Sequence, residues 1–307
     1  MNFVEIMTCI FIYNPVSGKG KIVAQKDYIV KELKEKFDKV DVYATKCAGD
    51  MSRVAREAVG KYDAIIFSGG DGTFNELLQG IAAFDEIPIL GYIPTGTTND
   101  IAHTLGIPIQ LRKALKTIKN GVVRNIDCMK VNDRYAVYVV AAGAFTSATY
   151  STSQLEKNHI GRIAYGFEGI KNNLKFQAFH VNCVGENESY ETSECVLITI
   201  MNSKYVAGFK MNKFADLQDG KIEVAVVQRN KKNPGIIKRI SAYFAIAGLF
   251  LFGYHAKLRN TSRLSGESFD VEADENVTWN LDGEKGETGK IHIEVLPRKI
   301  KIIVPKK

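Results

Sequence analysis

The stretch Asp63-Ala-Ile-Ile-Phe-Ser-Gly-Gly-Asp-Gly-Thr-Phe-Asn-Glu-Leu-Leu-Gln-Gly80 passes from an apolar run to a glycine turn to a helical repeat with no spacer. Ala64 to Phe67 has the unbroken apolar character of a strand covered on both faces, and Leu77, Leu78, Ile81 and Ala82 recur at helical spacing. Gly69, Gly70 and Gly72 place no side chain between the main chain and a ligand. Thr73 and the first helical N–H groups add donors at the positive end of the helix dipole, so the turn suits a phosphate. Asp71 fits poorly among phosphate donors unless it faces a cation, a donor hydroxyl or a polarised water, which points toward transfer chemistry. An ordinary Asp-Gly turn accounts for it about equally well. Two familiar phosphate loops fail on spacing. The dinucleotide fingerprint would need a glycine at Asn75, and Gly, four residues, then Gly-Lys-Ser/Thr occurs nowhere.

The same strand-to-loop-to-helix order repeats around this unit. Thr8 to Tyr13 reads as a strand that opens into Asn14-Pro-Val-Ser-Gly-Lys-Gly20, followed by a helix with Ile22, Ile29, Leu33 and Phe37 on one side. Val40 to Ala44 is a second strand, its loop presents Thr45, and Met51, Val54, Ala55, Ala58 and Val59 mark an amphipathic helix. Pro88 to Ile93 is a further strand ending in Pro94-Thr-Gly-Thr-Thr-Asn-Asp100, and a helix through Leu111, Ala114, Leu115 and Ile118 closes at Gly121 as a glycine cap. Four such units predict an open, mostly parallel α/β sheet with ligands at the carboxyl ends of its strands.

After Gly121 the pattern changes to strands and hairpins. Val123 to Val131 and Tyr135 to Ala141 flank Asn132-Asp133, while Phe176 to Val184 and Cys195 to Met201 flank a polar loop. Helical spacing interrupts this at Ile160 to Leu174 and at Ile236 to Phe252. Further strands are expected at Ser268 to Val271, Val277 to Leu281, Lys290 to Val295 and Lys299 to Val304. The fold expectation is α/β: residues 1–122 with about 297–307 as a nucleotide-binding domain, and 123–296 as a second, β-rich, sandwich-like domain.

Five cysteines without short paired spacing argue against a disulfide framework or a zinc site, and the first residues lack the pattern of a secretory signal. The expected compartment is cytoplasmic. The net charge of +7 is local: Arg229, Lys231, Lys232, Lys238, Arg239, Lys257, Arg259 and Arg263 supply eight positive charges, leaving −1 for the rest. They flank an apolar run, Ile240 to Gly253, that is shorter than the roughly 20 residues a membrane span needs. This stretch reads either as a buried helix with solvated basic ends or as a face that meets an anionic membrane peripherally and reversibly. No stacking platform of exposed aromatics interleaved with basic residues marks a nucleic-acid surface, so no nucleic acid is expected.

Taken together, Asn14-Pro-Val-Ser-Gly18, Gly69-Gly-Asp-Gly-Thr-Phe-Asn-Glu76, Pro94-Thr-Gly-Thr-Thr-Asn-Asp100, Asp219-Gly220 and Leu281-Asp-Gly-Glu284 resemble, in order and nearly end to end, the soluble bacterial diacylglycerol kinases. These are relatives of the catalytic domains of eukaryotic diacylglycerol and sphingosine kinases. The resemblance implies ATP against Asn14, Pro15, Val16, Ser17, Gly18, Thr45, Gly70, Asp71, Gly72, Thr73, Phe74, Asn75, Glu76 and Thr97. It implies Glu284 as the proton acceptor from a lipid hydroxyl, with Asp71 as a second catalytic carboxylate. It also implies Mg²⁺ at Asp216, Asp219 and Lys221, the lysine through its carbonyl only. The expected activity is an ATP- and Mg²⁺-dependent lipid kinase acting on diacylglycerol at a membrane surface, with a homodimer left open. Another lipid alcohol, phosphatidylglycerol or a sphingoid base, stays open as substrate. An NAD kinase, which shares the Gly-Gly-Asp-Gly turn, and a non-catalytic nucleotide-binding protein are weaker alternatives.

Overall fold

A computed structural model of the chain describes residues 7–144, 177–230 and 235–306, with the main chain alone at 18–19 and 235–239. The helix expected at Ile160 to Leu174 lies outside the described residues, as do Lys231 and Lys232. The chain forms two compact units, Met1–Asp127 with Pro297–Lys307, and Cys128–Leu296.

The first unit alternates strand and helix: β1 (Thr8–Tyr13), α1 (Lys21–Leu33), β2 (Lys39–Ala44), α2 (Asp50–Ala58), β3 (Ala64–Gly69), α3 (Asp71–Ile81), β4 (Ile89–Pro94), α4 (Asp100–Leu105) and α5 (Leu111–Asn120). Its sheet runs β4-β3-β1-β2, all parallel, and the end of the last strand, β15 (Ile291–Val304), adds beside β4 with Ile302 opposite Leu90. β3 is buried along its whole length, as a strand covered on both faces must be. Phe11, Ile29, Leu33, Phe37, Ile66, Ile93, Leu115, Ile118 and Ile303 share one core between helices and sheet. Because the strands are parallel, Tyr13, Ala44, Gly69 and Pro94 end at one edge, with Tyr13 opposite Ala44 and Gly69 opposite Pro94.

The second unit is mainly antiparallel. β5 (Val122–Val131) enters it at Cys128 and turns back into β6 (Arg134–Ala136). β7 (Val139–Gly143), β8 (Phe179–Gly185), β9 (Ser189–Met201), β10 (Ile222–Gln228), helix α6 (Gly235–Phe252), β11 (Thr261–Gly266), β12 (Ser268–Ala273), β13 (Thr278–Leu281) and β14 (Glu284–Thr288) follow. The sheet order is β14-β13-β7-β9-β8-β12 and then the start of β15, with β10 also on β9 and β11 on β10. Trp279, Phe269, Ile198, Ile200, Val224 and Ile293 lie in its core.

Several expectations are corrected. Tyr135 to Ala141 is two strands, because residues 137–139 direct their N–H groups to a carboxylate and not to a neighbouring strand. β9 begins at Ser189, six residues before the expected start at Cys195; its first part carries polar side chains and pairs with β8. The two strands expected at 290–295 and 299–304 are one, bent at Arg298, whose φ is 54° and whose N–H donates to Asp127 at 2.6 Å. Gly121 does close α5, but with φ −71° and ψ −174° in place of a left-handed cap. It is glycine for lack of space: a Cβ there would stand 2.3 Å from the Val304 carbonyl oxygen and 2.5 Å from that of Thr117.

Gly106 offers the contrast, with φ 70° and nothing within 4 Å of an added Cβ. Gly121→Ala is expected to lower the unfolding free energy measured in urea by roughly 1–3 kcal/mol or more through overpacking. Gly106→Ala is expected to cost about 1 kcal/mol from its left-handed backbone. Equal shifts would show that the approach of Gly121 to Val304 is not tight in solution.

Candidate active site

Three loops meet at the carboxyl edge of the parallel sheet. After β1, Asn14 Oδ1 accepts the Val16 N–H at 3.0 Å and the Asn14 carbonyl accepts the Ser17 N–H, which curls Asn14–Gly18 into a tight turn ending in a short 3-10 segment, Ser17–Gly20. After β3 comes the glycine turn. After β4 comes Thr95–Asn99, whose Thr95 and Gly96 N–H groups both donate to the Gly69 carbonyl, at 2.8 and 3.2 Å. The Thr95 hydroxyl ties the three together, 3.0 Å from Ser17 Oγ and 3.3 Å from Ser68 Oγ. The glycines let main chain touch main chain: a Cβ on Gly96 would come within 2.5 Å of the Gly70 Cα. Thr45 starts the loop after β2 and joins this edge through its N–H to the Tyr13 carbonyl, 2.9 Å.

Asp71 opens α3 but turns its carboxylate toward the next loop. It is buried and accepts the Ile101 N–H at 3.2 Å, with the N–H groups of Asp100 and Asn99 also bonded to it. The carboxylate therefore closes the start of α4 against the start of α3. Burial pushes its pKa above the ordinary carboxylate value, and those N–H groups pull the other way. Asn99 supports the arrangement from a left-handed residue (φ 52°), donating through Nδ2 to the Gly96 carbonyl and accepting from the Tyr92 hydroxyl.

The other residues of the glycine turn divide by what they can offer a ligand. Gly72 is exposed, while Gly70, Thr73 and Thr97 are half-exposed at this edge. Pro15 is half-buried and Val16 exposed on the first turn. Phe74 is fully buried, edge-on to Phe67 and Tyr92, so its ring anchors α3 to the sheet. Asn75 is buried and accepts from Gln79. The Glu76 carboxylate accepts the Met51 N–H at 3.2 Å and so caps the first turn of α2. Phe74, Asn75 and Glu76 thus hold the turn in place, and the groups facing outward are Gly70, Gly72, Thr73, Thr97 and the first turn.

In the second unit Glu284 begins β14, opposite Leu281, directly after a two-residue turn in which Asp282 (φ 52°) and Gly283 (φ 95°) both have positive φ, as a tight hairpin requires. The Glu284 side chain is exposed. Asp282 is buried, and its carboxylate accepts the N–H groups of Val137 at 2.6 Å, Tyr138 at 2.9 Å and Val139 at 3.0 Å. Asn202 completes the grip, with Nδ2 donating to the Val137 carbonyl and its own N–H to that of Tyr138. Thr95, Asp282 and Asn202 escaped the sequence reading as positioning residues. Thr95 and Asp282 lay inside the motifs that were singled out, without a role.

Asp216 and Asp219 are exposed, and Asp219 Oδ1 accepts the Lys221 N–H at 3.0 Å, the bond of a short Asp-Gly turn. Among the described residues no group of three or more His, Cys, Asp or Glu side chains is placed to hold a metal ion. The expected Mg²⁺ set draws on main-chain carbonyls, that of Lys221 among them, as well as on these carboxylates, and no catalytic step is assigned to this turn.

A family model described as the diacylglycerol kinase catalytic domain matches residues 8–131, and one described as the YegS C-terminal NAD kinase beta sandwich-like domain matches residues 138–304. The chain is 30% identical over 298 residues to a Bacillus subtilis protein named diacylglycerol kinase, covering 96% of this chain and 95% of that one. It is also 30% identical over 303 residues to a diacylglycerol kinase of Staphylococcus saprophyticus, covering 94% and 95%. A crystal structure of a Bacillus anthracis protein assigned to the diacylglycerol kinases matches with a TM-score of 0.82 at 26% identity, covering 98% of both chains.

Two substitutions test this geometry. Because the folded pKa of Asp71 is raised, its favourable contribution is present below the ordinary carboxylate pKa and is lost as pH rises through the folded value. Asp71→Asn keeps an oxygen for the Ile101 N–H without the charge. It should therefore gain thermal stability relative to the parent as pH rises from about 4 to about 7. A gap between the two that does not change with pH would refute the assignment. Asp282→Asn keeps the Oδ1 acceptor for Tyr138 and Val139 but turns an N–H₂ toward the Val137 N–H, and should cost about 1–3 kcal/mol in urea unfolding. A shift below about 0.5 kcal/mol would mean that the turn stands without this carboxylate.

Proposed function

The chain belongs to the diacylglycerol kinase family of lipid kinases, and from that premise we propose that it transfers the γ-phosphoryl group of ATP to the free hydroxyl of diacylglycerol, giving phosphatidic acid and ADP. The observation that carries this reading is the locked meeting of three glycine- and hydroxyl-bearing loops at the carboxyl edge of the parallel sheet. Such an edge is where ligands of open α/β sheets sit. There, exposed Gly72 and half-exposed Gly70 and Thr73 can bring main-chain N–H groups and a hydroxyl to a phosphate without a side chain intervening.

On this reading the nucleotide phosphates lie against Asn14–Gly18, Thr45, Gly70–Thr73 and Thr97. Asp71 acts as a positioning residue that keeps the third loop against the second. The lipid hydroxyl attacks the γ-phosphorus as the bond to the β–γ bridging oxygen breaks, ADP leaves, and the hydroxyl proton passes to the Glu284 carboxylate. Mg²⁺ brought in with ATP supplies charge neutralisation for the phosphates. Catalysis then consists mainly of positioning and electrostatic stabilisation, which suits a site made of rigid turns.

The test is incubation of the purified protein with Mg-ATP labelled on the γ-phosphate and diacylglycerol, phosphatidylglycerol, sphingosine or NAD, followed by identification of the labelled product. NAD is in the panel because the second family model carries an NAD kinase likeness in its description. Labelled phosphatidic acid is the expected product, and a label on any other acceptor would replace diacylglycerol as the substrate. In the same assay Glu284→Gln should lower kcat by about 10² to 10⁴ with the KM for ATP unchanged. Near-parental turnover would remove Glu284 from the proton transfer.

A further inference from the structure

Helix α6 is apolar on its outer face as well as its inner one. Its inner face is made of small or medium side chains, with Ala242, Ala245, Ile246 and Leu249 buried. Tyr243 and Phe250 are half-buried, and four large apolar side chains point away from the core: Phe244 is 74% exposed, Leu251 70%, Phe252 70% and Ile240 43%. At 100° per residue, Ile240, Phe244 and Leu251 fall within about 40° of one another around the axis, and Phe252, the last residue of the helix, is exposed about 80° beyond Phe244. A helix with only core and solvent around it would not leave two phenylalanines and a leucine at 70% exposure or more, because burying such side chains is what makes helix packing favourable. The patch continues onto the loop between β9 and β10. Phe214, 67% exposed, packs edge-on to His255 at 4.8 Å, just beyond the end of the helix, and Phe209 packs on Phe250 at 5.3 Å.

The charge around this face selects its partner. No acidic residue occurs between Glu223 and Glu267. Of the basic residues in that interval, Arg229 is paired with Glu194, and Arg263 turns inward to donate to the carbonyls of Tyr254 and Ala256. Lys257 and Arg259 are exposed, and Lys213 lies beside Phe214 with Nζ 4.7 Å from the ring centroid. Around the helix itself, exposed aromatic and aliphatic side chains stand beside Lys257 and Arg259 with no acidic residue in the interval, and Asp216 near Phe214 is the exposed anion at the far edge of the patch. This matches the boundary of a bilayer, where the rings enter the acyl region and the cations stay at the headgroups. A protein partner would leave those cations to find specific acidic residues, whereas an anionic lipid surface supplies negative charge wherever they stand. No helix among the described residues is long and apolar enough to cross a membrane, so the face would lie in the interface.

We propose that the outer face of α6, Ile240, Phe244, Leu251 and Phe252 with Phe214, is a docking surface that inserts shallowly into an anionic phospholipid bilayer, assisted by Lys213, Lys257 and Arg259. The apolar side chains supply the anchoring, and the cations bias the protein toward anionic lipid. This deepens the lipid-kinase reading and rests on it for why a bilayer is the partner. Its test reads binding alone and needs no phosphoryl transfer.

The full chain is sedimented with sucrose-loaded vesicles of phosphatidylcholine, or of phosphatidylcholine with a quarter phosphatidylglycerol. The parent should partition onto the anionic vesicles preferentially. The triple variant Phe244→Gln, Leu251→Gln, Phe252→Gln, all at exposed positions, should bind them about tenfold more weakly or worse. Its melting temperature and its activity on a short-chain diacylglycerol in detergent micelles should match the parent's. As a check independent of that variant, Phe244→Trp should shift its emission to the blue on anionic vesicles and be quenched by brominated acyl chains. Parental binding by the triple variant, or a Phe244→Trp emission unmoved by vesicles that bind the protein, would overturn the proposal. So would loss of a parent dimer in the triple variant with vesicle binding unchanged, which would assign the face to a second copy of the chain. Vesicle binding by a protein that phosphorylates no lipid would sink the kinase reading and leave the docking surface standing.

Discussion

A carboxylate removed from water is costly unless hydrogen-bond donors meet it, and this protein meets several with main-chain N–H groups that no helix or sheet uses. Asp71 takes the N–H groups at the start of α4, Asp127 takes that of Arg298 at the bend in β15, and Asp282 takes three in a row from residues 137–139. In each case the acid is far in sequence from its donors, and the donors stand at a helix start, a strand bend or a break between strands. An irregular segment cannot satisfy its own polar groups, so a buried acid that does so holds the segment in one conformation.

In the first unit the phosphate-facing edge depends on one of these contacts. The glycine turn after β3 and the loop after β4 approach so closely that Gly70 and Gly96 leave no room for a Cβ, and such an approach needs something to hold it. Asp71 does so from one side and Thr95, reaching Ser17 and Ser68, from the other. In the second unit the Asp282 grip fixes the hairpin from which Glu284 projects. Asp71 is thus a support of the first unit's loops and Asp282 a support of the Glu284 turn, and burial holds the Asp71 pKa above the ordinary carboxylate value.

Helix α6 follows a different physical rule. It buries Ala242, Ala245, Ile246 and Leu249 yet leaves Phe244, Leu251 and Phe252 exposed, an arrangement that is unfavourable for a surface facing only water and sensible for one that meets an apolar phase. The clustering of positive charge that stands out in the sequence proves less uniform in three dimensions, since Arg229 and Arg263 are engaged within the fold.

The amino-acid sequence by itself determined the alternation of strands and helices through residue 120, because buried parallel strands and amphipathic helices write their periods directly into the order of apolar residues. It also determined the family, since five short motifs keep their order along the chain. The second unit was less legible. The polar first half of β9, the break at residues 137–138 and the continuity of β15 through Arg298 are set by partners up to 171 residues away, as with Asp127 and Arg298, and local pattern carries no trace of them. For the same reason the motif residues could be located but not sorted. Only the tertiary structure decided that Phe74 is core, that Glu76 caps α2 and that Asp71 faces α4, because a side chain's role follows from which unsatisfied groups surround it after folding.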